Sequence, residues 1–215
     1  MKTFTIGKKK IVLKEEWMVG FITTWIVGLL AHAYRFFNFL PIWDSIYNFT
    51  GVGSTYTLGR WFLGYAGLIT SMFDLPWVNG AFSLFYISIV VILLTEMFEI
   101  KNKGMIVLCA AIFVSFPTVV SSFAYMYTAD AYLLAFLLAT LAVYLTWCVK
   151  KWGTIAGMVC LAFAMGIYQA YATVAIVLVL LYIIRQFVIE KLDFLEAVRK
   201  DLKYLGMLVG GRSEE

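Results

Sequence analysis

Five charged residues are expected to lie outside the cytoplasm, and they are the side chains best placed to do chemistry. They are Arg35, Asp44, Arg60, Asp74 and Asp130. Placing an ionisable group next to hydrocarbon costs free energy, so we first consider each of these residues as part of a functional site. A carboxylate in apolar surroundings with an arginine in reach suits catalysis whether it is neutral or ionised, which makes Asp44 the first candidate. We expect Asp44, Arg60 and Asp130 to meet in one external cavity.

Each of these residues also has a purely structural interpretation. Asp44 could cap the turn that follows it, and Arg60 could extend to lipid phosphates. Asp74 is expected to mark a helix start, and Asp130 could be a favourable anion near a helix N-terminus. The single histidine, His32, is expected to be a hydrogen-bonded packing residue.

The segment that carries these charges is also rich in aromatic residues. Residues 35–76, with Tyr34 and Trp77 at the edges, hold 13 of the 38 aromatic side chains. Aromatic residues in such a loop either form an interfacial belt that anchors it or line a site for an amphipathic ligand. The belt explains most of the aromatic residues here. Residues 61–73 are apolar enough to form a short interfacial helix.

The composition requires that this loop be carried by an integral membrane protein. The 215 residues are 63% hydrophobic and 14% charged, which is too apolar for one soluble core. The basic residues flank apolar runs in short loops, which argues against nucleic-acid binding. Three cysteines in apolar stretches, without CxxC spacing, indicate neither a disulfide framework nor a zinc site.

The apolar segments predict an all-α protein with six crossings in one membrane domain, residues 1–215. A single helix over residues 154–188 would be about 50 Å long, far more than a bilayer core needs. We therefore predict a break near Tyr168 and Gln169, with a polar turn there. The predicted spans are 17–34, 77–98, 104–125, 130–149, 154–168 and 171–188.

Six crossings place 15 of the 17 Lys and Arg side chains on one side of the membrane. Both termini are then cytoplasmic. Residues 192–205 have apolar side chains at helical spacing between charges, which predicts an amphipathic helix on the inner surface; a soluble helix packed on a partner is the alternative. Residues 205–211 turn apolar again, and we expect them to begin a seventh span of a longer protein.

Four short motifs follow one another along the chain. They are Trp43-Asp44-Ser45, Leu58-Gly59-Arg60-Trp61, Tyr127-Thr128-Ala129-Asp130-Ala131-Tyr132 and Gly166-Ile167-Tyr168-Gln169-Ala170. Their order and spacing resemble the bacterial O-antigen-modifying (serotype-converting) membrane glucosyltransferases, which look like type C glycosyltransferases. The resemblance covers roughly residues 17–211. It identifies the chain as similar to an N-terminal portion of such an enzyme in the bacterial inner membrane.

The resemblance implies transfer of a hexosyl group, glucosyl by analogy, from a polyprenyl-phosphate donor to a cell-surface glycan on the extracytoplasmic face. Asp44 would be the general base that deprotonates the acceptor hydroxyl, and Arg60 would hold the donor phosphate. Further candidates for substrate binding are Asp130, Arg35, Tyr168 and Gln169.

The expected partners are the polyprenyl-phosphate sugar donor, the glycan acceptor and membrane lipids, without nucleic acid. No cofactor or metal ligand is assigned, and a divalent-metal requirement stays open. One alternative is a non-enzymatic transporter or flippase of a lipid-linked sugar, which should carry polar residues near mid-membrane; here the spans are nearly charge-free away from their ends. Another is a structural subunit of a membrane complex, whose role would not depend on Asp44.

Overall fold

A small hairpin precedes the helical part of the chain. The structure is a computed structural model that describes residues 2–6, 9–47, 56–70, 73–149, 152–191 and 194–211. Strands β1 (Lys2–Ile6) and β2 (Lys9–Leu13) pair antiparallel. The apolar patterning does not predict this hairpin, although the β-branched and aromatic residues in the two strands favour extended backbone. It lies before the first apolar helix, so the apolar segments keep the predicted all-α character.

Ten α-helices follow within the described ranges. They are α1 (Glu15–Phe37), α2 (Trp43–Tyr47), α3 (Leu63–Ala66), α4 (Pro76–Met97), α5 (Lys103–Ser115), α6 (Pro117–Ser122), α7 (Met126–Cys148), α8 (Gly153–Ile167), α9 (Ala172–Arg185) and α10 (Phe194–Gly210).

Four helical stretches of the described chain are long and apolar enough to cross a membrane. They are Glu15–Phe37, Pro76–Met97, Lys103–Cys148 and Gln169–Ile189. Helix α8 is apolar but shorter, with 15 residues. The chain therefore has the helices of an integral membrane protein, while the predicted number of six crossings stays a prediction.

The 46-residue stretch Lys103–Cys148 folds back on itself. Phe116 has extended backbone and precedes Pro117, which lacks an N–H donor and disfavours helix in the residue before it. Phe113 and Phe136 then stack with their ring centroids 5.3 Å apart, whereas one straight helix would separate them by about 35 Å. The chain thus reverses over residues 116–125, and α5 touches α7 through these rings while it packs mainly on α1.

A second break separates α8 from α9. Tyr168 has extended backbone, with φ −159° and ψ 120°, and a 3-10 turn over Gln169–Tyr171 leads into α9. This is the position at which the sequence predicts that the long apolar stretch is interrupted. Both α8 and α9 contact α7, so the break turns the chain back along the same neighbour.

Helix α7 lies at the centre of the packing, in contact with α4, α8 and α9. Its small side chains Ala135, Ala139 and Ala142 are fully buried. Gly157 of α8 packs so closely against them that an added Cβ would lie 2.7 Å from the Ala142 carbonyl oxygen. Close approach over small residues is typical of helix pairs in membranes, where backbone proximity replaces the hydrophobic driving force.

The predicted amphipathic C-terminal helix corresponds to α10. The face of α10 that packs against the other helices is not the predicted apolar face. Tyr204 is buried, and Asp201 accepts a hydrogen bond from Gln186 at 3.2 Å. Leu202 and Leu205, which the sequence pattern puts on the apolar face, are 55% and 56% exposed. The residues predicted to begin a seventh span form the last turns of this helix.

Candidate active site

A cavity of about 570 Å³ opens where the first long connection meets the α6–α7 turn and the α8–α9 break. This volume is within the range of small-ligand pockets. Its polar and aromatic lining residues are Asp44, Arg60, Thr118, Ser121, Ser122, Tyr125, Tyr127, Tyr132, Tyr168, Tyr171 and Thr173, with Ala170 and Val174. Asp44 and Arg60 are the charged members of this described lining, so a cation and an anion face a space walled by hydroxyls and rings.

Arg60 is positioned by contacts of its own segment with the α8–α9 break. The Gln169 side-chain amide donates to the Leu58 carbonyl at 2.9 Å, and the Phe62 N–H donates to the Gly166 carbonyl at 2.7 Å. Gly59 between them has φ +71°, a left-handed conformation that favours glycine. These contacts fix the backbone on both sides of Arg60.

The Arg60 guanidinium lies over the Tyr168 ring, with 4.4 Å between its central carbon and the ring centroid. This is a cation–π contact, which orients the planar group without consuming its N–H donors. The Nε of Arg60 is buried and has no hydrogen-bond partner in the part of the chain that the structure describes. The guanidinium therefore retains donors for a ligand.

Asp44 lies in the first turn of α2, and its side chain is exposed toward the cavity. The turn itself is held by the neighbouring Ser45. The Ser45 hydroxyl accepts from the Ile42 N–H at 3.0 Å and donates to the Ile42 carbonyl at 2.8 Å. Ser45 thus ties the start of α2 to Ile42, the residue before the helix.

Asp130 lies apart from the cavity lining, although the sequence predicts that it joins Asp44 and Arg60. It is 2% exposed; its carboxylate accepts from the Thr70 hydroxyl at 3.0 Å and from the Asn79 amide at 3.2 Å. The network ties α7 to the end of the loop and to the start of α4. These two hydrogen bonds satisfy the buried carboxylate in part and hold it against Thr70 and Asn79.

Arg35 also binds backbone rather than the cavity. Its guanidinium donates to the carbonyls of Phe123 and Ala124, at 2.8 and 3.1 Å, and to the Leu40 carbonyl. These bonds connect the end of α1 to the turn after α6. Arg35 therefore stabilises the turn after α6, next to residues that line the cavity, without lining the cavity itself.

Asp74 lines a second cavity, of about 480 Å³, together with Ser45 and apolar side chains. Burial raises the pKa of the Asp74 carboxyl, while the Arg35 charge and the Ser45 hydroxyl lower it in part. Helix α4 begins two residues later, at Pro76, and its first turn is capped by the Asn79 side chain accepting from the Leu75 N–H at 2.9 Å.

Tyr168 lines the cavity, and Gln169 holds the loop beside it.

His32 is 4% exposed, with Nε2 2.9 Å from the Val114 carbonyl oxygen and its ring 4.6 Å from that of Phe123. The histidine is therefore a hydrogen-bonded packing residue, as expected.

The predicted interfacial helix over residues 61–73 is shorter in the structure, comprising α3 and a 3-10 turn over Gly67–Ile69. Leu63 and Ala66 are buried against α7 and α8, whereas Leu68 and Ile69 are exposed. Trp61 packs against Gly166 so closely that a side chain there would overlap the indole. This segment fixes the loop onto the helix bundle next to the site.

Sequence reasoning missed the hydroxyl groups of α6. Thr118, Ser121 and Ser122 line the cavity but fall inside the segment predicted as the span 104–125. A signal was present, because three hydroxyl residues at positions i, i+3 and i+4 directly after Pro117 are unusual in an otherwise apolar run.

Among the described residues, no group of three or more His, Cys, Asp or Glu side chains could hold a metal ion.

Comparison with known families gives one match. Residues 33–211 match the family described as Glucosyl transferase GtrII. Comparison with curated proteins gives no match, and comparison with solved structures gives none either.

Proposed function

Because the chain belongs to the Glucosyl transferase GtrII family, we propose that it transfers a glucosyl group at the cavity lined by Asp44 and Arg60. The donor is a polyprenyl-phosphate-linked sugar, and the acceptor is a cell-surface glycan on the extracytoplasmic side. The observation that carries the proposal is that one carboxylate and one guanidinium face the same cavity, whose remaining lining is hydroxyl-bearing and aromatic.

Asp44 is proposed as the general base. The acceptor oxygen forms a bond to C1 of the donor glucose while the bond between C1 and the phosphate oxygen breaks. The acceptor hydroxyl loses its proton in this step, and an accessible carboxylate within hydrogen-bond reach can receive it. Asp44 is exposed at the cavity, unlike the buried Asp130, so it is the carboxylate that a substrate hydroxyl can approach.

Arg60 is proposed to bind the donor phosphate. Negative charge accumulates on this phosphate as C1 departs, and a guanidinium that is already oriented stabilises the developing charge without reorganisation. The stacking on Tyr168 and the unpartnered Nε support this role. The polyprenyl phosphate is then the leaving group, and its chain stays in the membrane.

The tyrosines of the lining suit the sugar itself. Tyr132 and Tyr168 are 5.6 Å apart between ring centroids, and Tyr168 and Tyr171 are 6.3 Å apart. Ring faces provide flat apolar surface for the C–H face of a pyranose, while phenol hydroxyls bond to its polar edge. Arg60 lies over Tyr168, the ring that contacts both of the others, so a sugar attached to its bound phosphate would lie beside these rings.

The test is sugar transfer in membranes that contain Asp44→Asn at matched abundance. Radiolabelled glucose is supplied as the polyprenyl-phosphate conjugate, and incorporation into glycan is measured. Asp44→Asn keeps the side-chain shape, so insertion should persist while transfer falls by a factor on the order of a hundred or more, the scale of a general base. Asp74→Asn, the same change at the second cavity, is the control and should transfer normally. Near-normal transfer by Asp44→Asn would exclude Asp44 as the general base.

A further inference from the structure

Three hydroxyl residues on one side of α6, which we call the hydroxyl face, lie on the wall of the cavity without a role in the chemistry above. They are Thr118, Ser121 and Ser122. In a six-residue helix this spacing of three and four puts them on one side. Thr118 and Ser121 are exposed, and Ser122 is half-buried.

The backbone explains why the hydroxyl face can serve a ligand. The Ser121 and Ser122 hydroxyls donate to the Thr118 carbonyl, at 2.9 and 3.0 Å. A hydroxyl whose proton is used in this way keeps its oxygen lone pairs, so it is oriented to accept hydrogen bonds. The oriented acceptors at Ser121 and Ser122, with the exposed Thr118 hydroxyl beside them, match the O–H groups of a sugar, whereas a phosphate needs donors and positive charge.

A line of side-chain contacts connects the hydroxyl face to Arg60. Arg60 stacks on Tyr168, the Tyr168 ring lies 6.3 Å from that of Tyr171, and Tyr171 lines the same cavity as Ser122. Two aromatic rings thus separate the phosphate-binding end from the hydroxyl face. This leaves room for the donor sugar next to Arg60 and for a second sugar beyond it.

We propose that the hydroxyl face of α6 is the subsite that binds a sugar ring of the acceptor glycan. The inference rests on the proposed function, because it takes Arg60 as the phosphate end of the cavity. The donor glucose is bonded to its phosphate and lies over the tyrosines nearest Arg60. The neutral, exposed end of the cavity is then open to the acceptor, which carries no phosphate at its reacting hydroxyl.

The experiment compares two Michaelis constants in the Thr118→Val, Ser121→Ala double variant. The donor is glucosyl polyprenyl phosphate, and the acceptor is surface glycan purified from cells that lack the protein. Loss of two ordinary hydrogen bonds should raise the KM for the glycan by about tenfold and leave the KM for the donor within about twofold. Both side chains are exposed and no buried partner is lost, so folding should be retained.

Ser115→Ala is the matched control. Ser115 is also exposed, donates to a carbonyl four residues earlier (Ala111, 2.7 Å) and lies outside the cavity lining. It should change neither constant. A rise in the KM for the donor, a fall in kcat alone, or no change in the double variant would each overturn the proposal.

Binding without turnover separates this inference from the proposed function. The dissociation constant of the purified glycan is measured by calorimetry on the unmodified protein and on the double variant. Weaker glycan binding by the double variant supports the subsite even if no transfer is detected, whereas unchanged binding rejects the subsite even if transfer is normal.

Discussion

At the scale of single residues, Arg60 is suited to a phosphate by shape as well as by charge. A guanidinium is planar and offers parallel N–H donors, and stacking on an aromatic face fixes the plane in which they point. Tyr168 provides that face at 4.4 Å. A lysine would keep the positive charge but lose both the paired donors and the flat stacking surface.

Arg60→Lys should therefore reduce glucosyl transfer by about tenfold or more, mainly through a higher KM for the lipid-linked donor, as expected when a bidentate charged contact becomes a point contact. Steady-state transfer at varied donor concentration measures the effect. Tyr168→Phe retains the ring beneath the guanidinium and should cost less than Arg60→Lys. Equal activity of Arg60→Lys and the unmodified protein would show that the guanidinium does not bind the phosphate.

Asp130 and Asp44 illustrate how neighbours decide the role of a residue type. Asp130 is buried and accepts from Thr70 and Asn79, while Asp44 is exposed at the cavity. Both aspartates occur in aromatic, apolar sequence contexts on the predicted outer side of the membrane. Their environments differ because distant segments, not adjacent residues, supply the donors.

At the scale of elements, the site depends on two interruptions of helix. Pro117 ends α5 and starts the short helix α6, and the extended Tyr168 ends α8. Each interruption turns polar side chains toward the cavity at a point where a continuous helix would present apolar ones. The loop before α3 is then attached to the second interruption through Leu58 and Phe62.

Gly59→Ala should weaken this attachment. The left-handed φ of +71° is unfavourable for alanine, and an added Cβ would overlap the Gln169 amide that holds the Leu58 carbonyl. We expect a loss of about 1–2 kcal/mol of stability, together with reduced transfer. Thermal unfolding in detergent measures the first effect, and the radiolabel assay the second.

Gly206→Ala is the comparison variant for that experiment. Gly206 lies in α10, where an added Cβ would have its nearest neighbours at 3.9 and 4.0 Å. It should be neutral or slightly stabilising, since alanine favours helix. If Gly59→Ala unfolds at the same temperature as the unmodified protein, the loop does not need this backbone conformation.

At the scale of the whole molecule, the two ends of the helix bundle differ in chemistry. At one end, described residues at helix termini form ion pairs: Lys14–Glu96 and Lys103–Glu15 at 2.6 Å, and Arg185–Glu99 at 3.1 Å. The opposite end carries the cavity. The end with the ion pairs matches the side on which the sequence places most of its Lys and Arg, so we expect it to be cytoplasmic.

Single-cysteine labelling tests this orientation, with the three native cysteines replaced. A membrane-impermeant maleimide added outside the cell should modify cysteine introduced at Asp44 or Gln169 and should fail to modify it at Lys101 or Lys191. All four positions should react once the membrane is permeabilised. External labelling at Lys191 would mean that residues 154–188 cross only once, and the six-crossing prediction would have to be abandoned.

The sequence by itself determined the features that depend on local composition. Apolar runs of sufficient length define the membrane helices, the excess length of residues 154–188 predicts the break found at Tyr168, and the short motifs around Asp44, Arg60 and Tyr168 agree with the family that residues 33–211 match. These properties are additive along the chain, because each residue contributes to hydropathy or to a motif independently of what it touches.

Only the tertiary structure decided which polar residues share a space. It brought the hydroxyl face of α6 beside Tyr171 and held Asp130 in a network with Thr70 and Asn79. It also decided which face of α10 packs on the other helices: Asp201 and Tyr204 are buried, while Leu202 and Leu205 are exposed. The physical reason is that burial and hydrogen-bond pairing depend on side chains from segments far apart in the chain, and the periodicity of one segment contains no information about its neighbours.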